Sequence, residues 1–97
     1  MLLANDVRLK KNTPFDNFTF LMVDGTDFVT PETGLTVTAQ RSIDGGSFGA
    51  CTNSPSEVGS GVYKINLSAA DLNGDSITLK FTATGAAQRT ITMVTQP

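Results

Sequence analysis

Between Gly61 and Thr84, apolar and polar side chains alternate residue by residue. Tyr63, Ile65 and Leu67 hold alternate positions in one run, and Ile77, Leu79, Phe81 and Ala83 do so in the next. Successive side chains of a strand point to opposite faces, so each run predicts a strand with one apolar and one polar face. In the second run Leu79 and Phe81 should face inward, while Thr78 and Lys80 face solvent. The same period recurs upstream. Phe18, Phe20 and Met22 alternate from Asn17 onward, and Leu35, Val37 and Ala39 alternate with threonines after Gly34.

Turn chemistry separates these runs. Asp24-Gly25-Thr26-Asp27 reads as a turn, Thr26–Thr30 as a short strand ended by Pro31, and Ser42–Ser47, with Asp44-Gly45-Gly46 inside it, as a hairpin turn. A strand returns over Phe48–Thr52, and Asn53–Ser56 forms a loop. Glu57-Val58-Gly59 then leads into Gly61. After Gly85-Ala86-Ala87 the last strand covers Arg89–Thr95, with Ile91 and Met93 inward. About seven strands with turn signals every 8–12 residues or so predict an all-β antiparallel sandwich. One helical turn is expected at Ser68-Ala69-Ala70-Asp71, where Ser68 and Asp71 have the spacing of a capping box.

Residues 1–16 break this rhythm. Leu2, Leu3, Val7 and Leu9 keep no period, Pro14 punctuates the end, and Arg8, Lys10 and Lys11 outnumber Asp6 and Asp16. Residues 17–97 carry four basic and seven acidic side chains. Two readings stand side by side: an extended N-terminal arm ahead of a 17–97 body, or a first edge strand packed on that body. Read as an arm, its Leu2, Leu3, Val7, Arg8, Leu9, Lys10, Lys11 and Phe15 form a candidate assembly interface. Its apolar side chains cannot bury themselves against one another.

Composition narrows the function classes. The chain of 97 residues is the size of one domain. Its net charge of −2 and pI near 4.7 argue against a nucleic-acid partner, which wants a basic face. Apolar runs of a few residues fall far short of the ~20 of a membrane span, and MLLANDVR does not read as a signal peptide. Cys51 stands alone, so no internal disulfide is available and an intracellular or virion setting fits best.

Candidate chemistry is sparse. There is no histidine, so His-based triads and His metal sites are excluded, and Cys51 has no imidazole to activate it. The expectation is a protein without enzymatic activity, cofactor or metal. Asp71-Leu72-Asn73-Gly74-Asp75 does match the first ligand positions of a calcium loop. However, Ser76 stands where that loop needs Gly, and Thr82 where it needs Glu. A polar corner is the expected reading. Glycan binding would want aromatic platforms, and there is no Trp and one Tyr.

The ordered set of pieces across residues 34–86 resembles a family of small Ig-like domains from structural gene clusters of tailed bacteriophages. Gly34-Leu35-Thr36-Val37-Thr38 opens it, followed by Asp44-Gly45-Gly46 and by Glu57, Gly59, Gly61 and Tyr63 in the pattern E-x-G-x-G-x-Y. Asp71 and Gly74 then form D-x-x-G, and Ala83-Thr84-Gly85-Ala86 closes it. Arg41 departs from the pattern at a position usually apolar, and its side chain is expected to snorkel outward near the hairpin. The resemblance implies an Ig-like sandwich and a non-catalytic virion component, assembled in the host bacterial cytoplasm. It would be a head decoration or cement protein bound to the major capsid protein or other virion proteins, and a homo-oligomer. The alternative it implies is a neck, tail or fibre-associated adhesion module that contacts the host surface.

Overall fold

The alternating runs form strands, and their apolar faces meet in one core. The structure, a computed structural model, describes residues 9–97. Its strands are β1 (Phe15–Leu21), β2 (Thr38–Ile43), β3 (Gly49–Ala50), β4 (Ser56–Gly59), β5 (Val62–Leu67), β6 (Ser76–Thr82) and β7 (Arg89–Val94). They make two antiparallel sheets, β1-β5-β4 and β3-β2-β6-β7, an arrangement consistent with a β-sandwich. A single 3-10 turn, Ala70–Leu72, joins β5 to β6.

The core lies between the sheets. Tyr63, Ile65 and Leu67 of β5 are buried, as are Ile77, Leu79 and Phe81 of β6. Phe20 of β1 stacks on Phe81 of the other sheet, ring centroids 3.6 Å apart and planes within 10°. Phe20 also lies 6.0 Å from Tyr63, and Phe18 lies 6.4 Å from Phe81. Each large side chain so buried stabilises the fold by roughly 1.5–3 kcal/mol. On the outer face Thr78 and Lys80 are half-buried, and the Lys80 ammonium stands 4.2 Å above the Phe48 ring.

Five expected elements or boundaries differ. Thr26–Thr30 is a tight loop with no ladder of its own: the Asp27 carboxylate takes the Val29 and Thr30 N–H groups, so the backbone turns instead of pairing. The strand expected over Phe48–Thr52 shrinks to Gly49–Ala50, because the Thr52 N–H donates to the Asp71 carboxylate. Conversely, Ser56–Gly59 is a full strand, joined to β5 by a two-residue turn. Ser60 and Gly61 there have φ of 55° and 83°, the two positive values a hairpin of this length needs. At Gly61 a Cβ would also lie 2.7 Å from that of Pro31, so glycine is required twice over. β1 begins at Phe15, two residues before Asn17, and β2 begins only at Thr38.

Phe81→Asp is expected to leave the chain unfolded, since an unpaired buried charge costs several kcal/mol of the ~5–15 kcal/mol that such a domain has. Lys80→Asp should lose only the contact with Phe48, about 0.5–1 kcal/mol. Urea unfolding followed by circular dichroism compares the two, and equal stabilities would place the β6 register off by one.

Candidate functional site

The N-terminal segment was the first candidate. Leu2, Leu3, Val7 and Arg8 lie outside the described residues. Leu9 is 2% exposed and belongs to the core. Its carbonyl accepts the Gln96 N–H at 2.7 Å, and the Lys11 N–H donates to the Gln96 carbonyl at 2.7 Å. Lys10 thus runs parallel to the chain just beyond β7. The Asn12 N–H donates to the Leu72 carbonyl, and the Lys11 ammonium pairs with Asp75 at 2.5 Å. That hydrogen bond, and then the Asp75 charge, raise the Lys11 pKa above its usual 10.5. Phe15 sits opposite Leu67 and meets Phe18 edge-on, half-buried against the core. Of the described candidates, Lys10 and Lys11 lie on the surface while Leu9 and Phe15 pack inward, along the chain's own body.

The corner between β5 and β6 is built around a buried carboxylate. Asp71 is inaccessible to solvent, with one oxygen 3.1 Å from Arg41 Nε and the other accepting the Thr52 and Ser68 N–H groups at 3.2 Å each. Ser68 Oγ accepts the Asp71 N–H in return, which is the reciprocal pair expected from the Ser68–Asp71 spacing. Arg41 therefore does not snorkel outward. Its inward parity on β2 faces the buried Asp71 carboxylate, and pairing there outweighs hydration. Asp44 fixes the far side of the corner, accepting the Asp75 and Ser76 N–H groups at 2.9 Å each. Asp71, Asn73 and Asp75 do not converge, since Asp71 points to Arg41 and Asp75 to Lys11. Among the described residues, no three Cys, Asp or Glu side chains are grouped to hold a metal ion.

The opposite end of the strands gathers three connections. The Met22 N–H donates to the Gly61 carbonyl at 3.0 Å, the Gly25 N–H to Gly85 at 3.0 Å, and the Ala87 N–H to Val23 at 2.9 Å. From this base rises the loop Asp24–Glu32. Its neck is closed by the Asp24 N–H on the Thr30 carbonyl and the Phe28 N–H on the Asp24 carbonyl. Asp27 holds the tip through Val29 N, Thr30 N and Thr30 Oγ. Those bonds, the Thr30 hydroxyl first, pull the Asp27 pKa below its usual 3.8. Phe28 takes φ of 59°, and the tip presents it 66% exposed beside Val29 at 74%. The β-prone residues Thr26, Phe28, Val29 and Thr30 hid this loop. The readable signal was Asp27 three residues ahead of Thr30, a side-chain-capped turn.

Cys51 is half-buried against the core, in the wall of an open groove of about 390 Å³ beside Val37 and Pro55. Burial, and then the Asp71 charge, push its thiol up to about 12, so it stays protonated and unreactive at neutral pH. No family model matches the chain, and neither a curated protein nor a solved structure matches it.

Asp71→Ala should cost about 3 kcal/mol in chemical denaturation, because it strands Arg41 and two N–H groups in a largely buried site. Asp27 gives a pH signature. Its folded pKa is depressed, so its stabilisation is present above about 3.8 and is lost as pH falls through the lower folded value. The melting-temperature gap between the wild type and Asp27→Ala should therefore narrow between about pH 6 and pH 3. A constant gap would mean that the ionised carboxylate does not hold the loop.

Proposed function

We propose that this chain is a non-catalytic structural protein of a tailed-bacteriophage virion, a head decoration protein with an Ig-like body. The sheet order is the observation that supports the Ig-like body, and the virion role rests on the resemblance over residues 34–86. In chain order, β1-β5-β4 and β3-β2-β6-β7 correspond to strands B-E-D and C′-C-F-G of an Ig sandwich. The parallel bridge of Lys10 to Gln96 beyond β7 fits a short leading strand beside the last one. The resemblance over residues 34–86 runs from just before β2 to the turn after β6, and its turn residues fall at the β2–β3, β4–β5 and β6–β7 turns and at the β5–β6 crossover between the sheets. The partner is then the major capsid protein or a neighbouring virion protein, and copies of the chain cluster by the symmetry of the particle.

Quantitative mass spectrometry of purified particles of the phage encoding this chain tests the reading. On the order of hundreds of copies per particle are expected for a head protein, against about six or twelve at the neck or tail. Absence from purified particles would overturn it.

A further inference from the structure

The loop Asp24–Glu32 is more than a connection. Phe28 and Val29 are adjacent large apolar side chains, each about two-thirds or more exposed. Among the described residues the other exposed ones, Leu21, Phe48, Val58 and Val94, stand singly along the chain, and the Phe48 ring lies under the Lys80 ammonium. The turn does not need an aromatic ring at position 28. Every hydrogen bond that shapes the tip comes from the backbone, Asp24, Asp27 or Thr30. At φ of 59° a bulky side chain is strained where Asn or Gly would sit easily. Strain of this kind gathers at binding segments, where the surrounding structure holds it.

The loop is also ordered before it meets a partner. Its neck is closed by two backbone bonds and its tip by one carboxylate, so little freedom remains to be lost on docking. A rigid exposed aromatic is the usual anchor of a protein interface. Charge narrows the partner further. Asp24, Asp27 and Glu32 flank the two apolar side chains in sequence, an acidic collar along the chain, and the loop holds no basic residue. An acidic collar disfavours an anionic bilayer and favours a socket with positive charge at its rim.

We propose that Phe28 and Val29 form a docking knob that enters an apolar pocket, rimmed by lysine or arginine, on the capsid-surface protein of the particle. This rests on the virion reading, and the test separates the two. Particles assembled without this chain are mixed with the purified wild type, Phe28→Asn, Glu32→Lys and the control Val94→Ser, then sedimented. Phe28→Asn should bind about tenfold more weakly or worse, yet melt no lower than the wild type, because Asn accepts the left-handed backbone. Glu32→Lys should also weaken binding, and Val94→Ser should bind as the wild type does. Raising NaCl from about 50 to 500 mM should weaken wild-type binding, since it screens the collar from the rim. If the wild type itself fails to bind particles, the virion reading falls and this proposal falls with it. If Phe28→Asn binds as well as the wild type, the proposal alone is overturned. Binding indifferent to salt and to Glu32→Lys would overturn the basic rim. A wild-type dimer in sedimentation velocity that Phe28→Asn dissociates would make the occupant a second copy and overturn the capsid assignment.

Discussion

The stack of Phe20 on Phe81 is the contact on which the two sheets depend. Phe20 belongs to a three-stranded sheet and Phe81 to a four-stranded one, and their rings meet almost face to face. β6 carries Phe81 between β2 and β7, so both hydrogen-bonded neighbours are aligned by the strand that supplies Ile77, Leu79 and Phe81 to the core. A domain of this size buries only about 60–70% of the surface its unfolded chain exposes. With one cysteine and no disulfide, that packing has no covalent support.

Carboxylates do at the sheet ends what aromatics do between the sheets. Asp71 ties β2, the segment after β3 and the start of the β5–β6 corner to one buried group. Asp44 closes the other side of that corner, and Leu9 to Asn12 pack alongside it through Gln96 and Leu72. A buried carboxylate is costly unless every oxygen is paired, and here both oxygens are. That end is therefore stiff and inwardly satisfied. At the other end Asp27 uses the same chemistry in the open, and the result is a loop that is held firmly yet turned outward.

The two ends differ in what they leave exposed. The corner end spends its polar groups on one another: Lys11 on Asp75, Arg41 on Asp71, Thr95 on the Gly74 carbonyl. The loop end keeps Phe28 and Val29 in water, in a loop whose charged side chains are all acidic. A binding role is easier to reconcile with the second arrangement, because interface energy concentrates in a few desolvated anchors and not in satisfied surface pairs.

Period-2 alternation by itself determined the core strands. Tyr63, Ile65, Leu67, Ile77, Leu79 and Phe81 are all buried as their spacing required, because in a strand the face of a side chain follows from parity alone. The Ser68–Asp71 box was legible for a similar reason, being local. What the sequence could not show was where backbone donors go when a distant side chain competes for them. Thr52 leaves its ladder for Asp71, 19 residues away, and Arg41 turns inward to a carboxylate 30 residues on. β4 is a strand only because a two-residue turn brings it against β5, and its own four residues carry too little pattern to show it. The exposed Phe28 escaped for a different reason: Thr26, Phe28, Val29 and Thr30 are all residue types that favour strands, and only the closed loop around it turns the ring away from the core. Parity along a chain is a local property, whereas the partner of a polar group is settled by packing between segments far apart in sequence.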